Sequence, residues 1–410
     1  MEARSSDPAR EGNSTRLPPG VERHIASEEQ VLVRIPFNKP TLVGDEMEHM
    51  RTAIETGHTS SSGPFSSRVA AMLERELGAA SALLTTSCTD ALEMTAILLG
   101  LGPGDKVIVP SFTFVSTALA YARTGAEIVF ADIEPNRLGI DPAHVDALMD
   151  EQVKAVVPVH YAGVPCLIEE LMDVVPSGVT VVEDNAHGLF GRSRGKPLGT
   201  FGRFSTSSFH ETKNFVSGEG GALVVNAAED VERARIVYDK GTDRQAFLAG
   251  EVDKYTWQDL GSSFGMSDLL AAFLYGQLEQ SSEIMAKRAA AFDRYYAGLK
   301  PVADRHDVQL PEIPVDVDCG YHMFYMLMPT AEARSACLST LRERGIGATF
   351  HYIPLHSAPG ARRFSRSGAD LPITDSISSR IIRLPYFTSI KTDQIDEVIE
   401  AVTEIFDGLR

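Results

Sequence analysis

One lysine in this chain stands among residues able to do chemistry with it. The run Ser208-Phe209-His210-Glu211-Thr212-Lys213-Asn214 leads into Gly218-Glu219-Gly220-Gly221. Upstream, an apolar run ends in Glu183-Asp184-Asn185-Ala186-His187. Burial disfavours the charged form of a lysine, which frees its amine to form a Schiff base with an aldehyde and to carry protons. A carboxylate at a strand end can pair with a protonated ring nitrogen, and hydroxyls can hold a phosphate. Amine, carboxylate, imidazole and hydroxyls in this order are the needs of a pyridoxal phosphate (PLP) site. On this reading Lys213 is the catalytic amine and Asp184 the pyridinium partner. His187, three residues on, lies against the ring or contacts its phenolic oxygen.

The phosphate needs donors of its own. Thr86-Ser87-Cys88-Thr89 joins an expected strand to an expected helix. Backbone N–H groups at such a helix start bind phosphate, and Ser208 adds a second hydroxyl. The plainer reading of the same turn is an ordinary N-cap. Phe114 follows another strand and is placed to stack on a cofactor ring, or else to fill the core. His160, His351 and His356 lie near expected strand ends and are candidates for substrate contact. The Ser61-Ser62-Gly63-Pro64 loop is a further candidate for shaping a substrate pocket.

These residues need a scaffold, and the hydrophobic pattern supplies one. Strand-like runs at 81–85, 106–110, 127–132, 155–160, 179–184 and 222–226 are short and almost continuously apolar, and 204–209 is strand-like as well. That is the pattern of strands buried on both faces of a mostly parallel sheet. Helical stretches fall between many of them, at 65–78, 89–99 and 115–124. In such a sheet ligands bind at the carboxyl ends of the strands. Thr85, Pro110, His160 and Asp184 all sit at such ends. A long helical segment over 267–288 then leads into strands at 321–328 and 348–352 and helices at 331–344 and 392–409. The expected organisation is a flexible extension over 1–30, a large α/β domain over 31–285 and a smaller C-terminal α+β domain over 286–410.

Composition narrows the function further. Net charge is -18, which argues against nucleic acid and anionic membranes as partners. No apolar run approaches the roughly 20 residues that span a bilayer, and the first residues lack the apolar core of a secretory signal. Cys88, Cys166, Cys319 and Cys337 contain no Cys-x-x-Cys pair, so neither a metal site nor a disulfide framework is expected. Reduced thiols fit a cytoplasmic protein.

The runs SFHETKN, GEGG and EDNAH together resemble the DegT/DnrJ/EryC1/StrS group of PLP-dependent sugar aminotransferases. The likeness extends from residue 34 to residue 408. IPFNKP, TSCTDALEM, PSFTFVSTA, PVHYAGV, VDKYTWQDLGSSF and FHYIPLH are similar to the branch acting on TDP-4-keto-6-deoxy-D-glucose at C4. The resemblance implies PLP-dependent transferase fold type I, the aspartate-aminotransferase-like fold, as a homodimer with shared active sites. It implies PLP as cofactor, L-glutamate as amino donor and a TDP-keto-deoxy-sugar as acceptor. By position, Lys213 matches the Schiff-base lysine, Asp184 the pyridinium partner, His187 the residue beside the ring and Phe114 the stacking aromatic. Ser208, Cys88 and Thr89 match the phosphate-binding positions, and Ser263 one reaching the neighbouring subunit's phosphate. Three positions depart from the common pattern: Cys88 stands where most members have glycine, Ser263 where many have asparagine, and Asn185 where alanine is usual. Lys213 argues against the family's dehydratases, which carry histidine there. A sugar aminotransferase acting at C3, a keto-inositol aminotransferase and a PLP-fold sensor without turnover stay open at this point.

Overall fold

The computed structural model describes residues 33–365 and 370–408. The N-terminal extension expected over 1–30 lies outside the described residues. Nine strands come first in the chain. They are β1 (Ser81–Thr85), β2 (Lys106–Pro110), β3 (Glu127–Ala131), β4 (Val153–Val156), β5 (Thr180–Asp184), β6 (Arg192–Ser193), β7 (Lys196–Pro197), β8 (Phe204–Ser208) and β9 (Gly221–Val225). Seven of them make one mixed sheet in the order β1-β9-β8-β5-β4-β2-β3. All neighbours from β8 to β3 are parallel, and β9 alone runs against both of its neighbours.

The continuous apolar runs have the expected cause. Val107 and Val109 of β2 enter one core, with Ala91, Leu92 and Tyr121 from the helices Cys88–Leu98 and Ser116–Ala122. Ile108, between them, enters a second core on the opposite face with Val145, Ile168 and Leu171. In β9, Leu223 and Val225 join the first core, while Ala222 and Val224 pack with Leu73 and Leu274 on the other side. Side chains alternate along a strand, so a sheet covered on both faces favours apolar residues at successive positions; β8 is the exception, with Ser205, Thr206 and Ser207 buried. Each such buried Val or Leu contributes about 1.5–3 kcal/mol.

Three further strands follow: β10 (Val317–Asp318), β11 (Tyr325–Leu327) and β12 (Ile381–Arg383). β10 joins β6 and β7 in a small sheet, and β11 pairs antiparallel with β12. The helices Ser281–His306, Ala331–Glu343 and Thr392–Asp407 cover this last pair. Thr392–Asp407 buries Ile395, Val398, Ala401, Val402 and Phe406, one stripe at helical spacing. They meet Tyr295, Phe324, Met326 and Ile382 in a separate core, which also takes Ile35 from the start of the described chain.

Some elements differ from expectation. The segment expected to be one helix over 267–288 is two, because Gln280 leaves helical geometry between Asp268–Glu279 and Ser281–His306. The second of these runs across the expected domain boundary at residues 285 and 286. The strand expected over 155–160 ends at Val156; Pro158 has no N–H for a ladder, and Val159 keeps only a bridge to Asp184. The strand expected over 348–352 reduces to one bridge from Thr349 to Arg383.

The carboxyl ends of β1, β2, β5 and β8 open on one edge of the large sheet. The amino end of β9 lies there too, since Gly221 pairs with both Thr85 and Ser208.

Candidate active site

A cavity of about 490 Å³ opens at this edge. Its wall includes Lys213, Asp184, His187, Cys88, Thr89, Phe114, Ser208 and His351. Eight of the residues singled out from sequence therefore share one space.

Asp184 closes the floor as the last residue of β5. Thr117 Oγ1 donates to its Oδ2 at 2.8 Å, and Ala186 N–H donates to its Oδ1 at 3.2 Å. Thr117 is itself paired with Thr113 at 2.8 Å. Burial pushes the Asp184 carboxyl up, while Thr117, Ala186 and the charge of Lys213 pull it back. A carboxylate held this way invites a cationic partner, such as a protonated ring nitrogen.

Lys213 sits on the loop between β8 and β9. Phe209 N–H donates to Gly220 O at 2.8 Å and Glu211 N–H to Gly218 O at 2.9 Å, which pins the loop at both ends. Gly218 permits the turn through its φ of 85°. Asn214, the next residue, donates to Gly320 O at 2.5 Å and accepts from His322 Nδ1 at 3.0 Å. The lysine loop is thus tied to the segment that leads into β11. Desolvation lowers the Lys213 amine from 10.5 to about 8; Cys88 and Asp184 act against that shift, and Arg383 adds to it.

His187 stacks on His322 with ring centroids 4.2 Å apart and planes 18° apart. Burial, then the Lys213 charge, holds its imidazole neutral, well below the usual histidine range. Its Nδ1 is buried and has no hydrogen-bond partner among the described residues. A buried nitrogen left in that state awaits a ligand atom.

At the other end of the cavity the helix Cys88–Leu98 begins. Ser87 caps it, its hydroxyl accepting from Asp90 N–H at 3.1 Å. The first-turn N–H groups and the positive end of the helix face the space bounded by Cys88, Thr89 and Ser208. Thr89 Oγ1 pairs with Ser116 Oγ at 2.7 Å. Gly221 makes this cradle possible: a Cβ there would stand 2.4 Å from Cys88 N and 2.5 Å from Ser87 C. Gly221→Ala is expected to displace the helix start. The outcome is a loss of about 1–3 kcal/mol of stability and weaker PLP binding, checked by thermal melting and by cofactor titration of the apoprotein. Unchanged PLP affinity would remove the helix start from the phosphate site.

Phe114 is 58% exposed and lies on the cavity wall, so it is free to meet a planar ring. His351 reaches the cavity as well, hydrogen-bonded through Nδ1 to the Tyr161 hydroxyl at 3.0 Å.

The structure places three other expected site residues away from this space. His160 is fully buried, with Nε2 2.9 Å from Glu183 Oε2. Cys166 N–H donates to its Nδ1 at 3.3 Å, so the ring proton is on Nε2 and goes to Glu183. Glu183 also accepts from the N–H groups of Gly199, Phe201 and Gly202. This pair braces the underside of β5 and reaches no substrate space. His356 is taken by Ser111 Oγ at 2.7 Å and faces Asp375 at 3.4 Å, off the cavity wall. Ser263 is exposed on a surface loop, bridged to Asp239, outside the cavity of its own chain. The Ser61–Pro64 loop is likewise off the wall; Asp268 caps the following helix through Phe65 N–H, Ser66 N–H and Ser66 Oγ. Asn185 donates to Leu198 O at 3.1 Å, anchoring the turn after Asp184.

Sequence reasoning missed Thr117, His322, Tyr352, Phe37 and Arg383, all on the same wall. Arg383 carried a signal: a charge inside the apolar run Ile381-Ile382-Arg383-Leu384 is unusual for a buried strand.

The chain is similar to known proteins along most of its length. The DegT/DnrJ/EryC1/StrS aminotransferase family matches residues 40–403. The spore coat polysaccharide biosynthesis protein SpsC of Bacillus subtilis (strain 168) is 31% identical over 383 residues, covering 91% of this chain and 97% of its own. The aminotransferase TlmJ of Streptoalloteichus hindustanus is 28% identical with a TM-score of 0.84, covering 92% of this chain and all of its own. The putative sugar aminotransferase Spr1654 of Streptococcus pneumoniae, in its PLP form, shares the fold at a TM-score of 0.84 and 23% identity, covering 92% of this chain and 99% of its own.

Proposed function

The chain belongs to the DegT/DnrJ/EryC1/StrS aminotransferase family, and we propose that it moves an amino group from L-glutamate to C4 of a TDP-4-keto-6-deoxy-hexose. The products are 2-oxoglutarate and a TDP-4-amino-4,6-dideoxy-hexose of galacto configuration. The protein is a PLP-dependent aminotransferase. The observation that carries the reading is Lys213 in one cavity with Asp184, an unpaired His187 and a helix start able to hold a phosphate.

The residues fit the cofactor. Asp184 would hold the ring nitrogen, Phe114 and His187 the ring, and Cys88, Thr89 and Ser208 the phosphate. When bound, PLP supplies an electron sink for the pair released as the donor Cα–H bond breaks. Lys213 Nζ takes that proton and later delivers one to sugar C4. Its lowered pKa suits both directions, since a general acid–base works best near the ambient pH. The floor of Thr117 and Ala186 fixes Asp184 so that its charge is in place before substrate arrives.

Support for the C4 branch comes from the runs TSCTDALEM, PSFTFVSTA and FHYIPLH. A second copy of the chain completes each site through Ser263. Trp257 and Leu260, 81% and 69% exposed on the same loop, are apolar surface that such a copy would cover. Among the described residues no helix is long and apolar enough to cross a membrane.

The test is direct. The holoenzyme is given TDP-4-keto-6-deoxy-D-glucose and L-glutamate; 2-oxoglutarate release is followed and the product is read by NMR at C4. An axial C4 amine is expected. Turnover of a 3-keto sugar nucleotide or a keto-inositol in its place would overturn the assignment.

A further inference from the structure

Tyr321 holds a backbone shape that a bulky residue avoids. Its φ is 46°, in the left-handed region. The residue after it, His322, is buried and lines the active cavity. Arg288 meets this pair from the helix Ser281–His306. Arg288 is buried too; its Nε donates to Tyr321 O at 2.8 Å and its Nη2 to His322 O at 2.6 Å. The Tyr386 ring centroid lies 4.7 Å from the guanidinium, and the Tyr386 hydroxyl donates to Arg288 O at 2.5 Å. No described carboxylate pairs with Arg288. On the other side, His322 N–H donates to Ala162 O at 3.0 Å and Gly320 N–H to Gly163 O at 2.7 Å.

A strained residue and a buried cation without an acid both destabilise a fold. Here both converge on one imidazole, and such outliers collect where the surroundings must hold a group in place. The imidazole is neutral. Burial holds it well below the usual histidine range, and His187, Lys213 and Arg288 add to that. It therefore carries one ring proton, and Asn214 decides which nitrogen has it. Asn214 Nδ2 donates to Gly320 O at 2.5 Å, so Oδ1 is left to accept, and His322 Nδ1 stands 3.0 Å from it. The proton is on Nδ1. Asn214 is the next residue in the chain after Lys213.

We infer that His322 is a positioning residue for Lys213: its Nδ1–H holds Asn214, and Asn214 fixes the backbone from which the lysine enters the cavity. The inference rests on the aminotransferase reading above and deepens it. The same ring covers one face of His187, at 4.2 Å, so one imidazole keeps two cavity residues in place. Such a brace bears on rate, because misplacing a reacting group by about 1 Å costs roughly 100-fold.

The test exploits the shapes of two amides. His322→Asn puts an N–H where the ring has Nδ1, and His322→Gln puts one where it has Nε2. In the first half-reaction of the full-length holoenzyme, H322Q is expected to lose roughly 10- to 100-fold in kcat, with little change in the KM for L-glutamate. H322N is expected to recover most of that loss. In an Asn214→Ala background H322Q is expected to cost nothing further, since residues acting as a unit are not additive. A second arm needs no amino donor. The apoprotein is mixed with PLP, and the rate of capture is followed against pH. A loosened lysine loop admits water and returns the amine toward 10.5, so the midpoint near 8 is expected to rise by about one pH unit in H322Q and in N214A. In H322N it is expected to stay. The other groups facing the amine, Cys88, Asp184, Arg383, His187 and His351, are the same in every variant. If H322Q does not fold, N214A and H322N carry both arms. Rescue by glutamine instead of asparagine, losses that add in the double variant, or an unmoved midpoint would each sink the brace; the first would give His322 a direct ligand contact through Nε2. A wild type with no half-reaction but a normal capture profile sinks the aminotransferase reading alone.

Discussion

Lys213→Ala is expected to abolish transamination and the yellow colour that reports cofactor held through its lysine, while the protein stays folded. The loss should be on the order of 10⁴-fold, the upper range for a positioned acid–base group, because the same amine both holds the cofactor and moves the proton. Melting temperature should change little, since the lysine enters the cavity from a loop fixed by backbone hydrogen bonds and by Asn214. Small amines added to the variant should restore part of the half-reaction. Full activity in Lys213→Ala would falsify the mechanism. The pH dependence gives an independent check. Lowering the amine from 10.5 to about 8 raises its neutral fraction at neutral pH by more than two orders of magnitude, each unit being tenfold. The sign follows: below about 8 the amine is mostly protonated and cannot attack, and above it the free base prevails. Capture of PLP by the apoprotein should therefore speed up as pH rises through about 8 and then level. A midpoint near 10.5 would mean an amine in open water.

How much of this was legible in the chain depends on residue parity and on sequence distance. The apolar runs located six of the seven strands of the large sheet, because a sheet covered on both faces favours apolar residues along them; β8, buried as Phe-Ser-Thr-Ser-Ser, is the exception. The strand ends then placed Asp184 and Lys213 on one edge without any side-chain detail. What a strand end does not reveal is which way a side chain points. Glu183 and Asp184 are neighbours with opposite directions: Asp184 faces the cavity, and Glu183 turns beneath the sheet to His160. His160 shared the right edge and still went underneath. His356 was claimed by Ser111, some 245 positions away. Arg383, His322 and Phe37 reach the site only because the β11–β12 pair and the segment starting at Val33 fold over the large sheet's edge. Those partners are distant in the chain, and β12 is only three residues long, too short to show a period.

Asp184→Asn is expected to keep the fold and bind PLP but to lose roughly 10³-fold in kcat/KM, the scale for removing one partner of a buried charge pair. Asparagine matches the shape: its Oδ1 can still accept from Ala186 N–H, and its Nδ2 can donate to Thr117 Oγ1 once that hydroxyl turns its proton to Thr113, so packing around β5 is preserved. What it lacks is the negative charge that keeps a ring nitrogen protonated, and with it the pull on the electrons of the Cα–H bond. Burial alone would drive the Asp184 carboxyl toward its neutral form. The site resists this with two hydrogen bonds to the anion and a nearby lysine, so the surrounding residues are arranged to preserve charge at that atom. Weakening that arrangement should have a graded effect: Thr117→Val removes one of the two bonds, at 2.8 Å, and should cost about 10-fold. The diagnostic measurement is the rate of Cα proton removal from deuterated L-glutamate in the half-reaction. A slow, fully isotope-sensitive step in Asp184→Asn, with cofactor affinity reduced far less than the rate, assigns the carboxylate to chemistry. A collapse of PLP affinity with an unchanged rate in the loaded fraction would reassign it to binding alone.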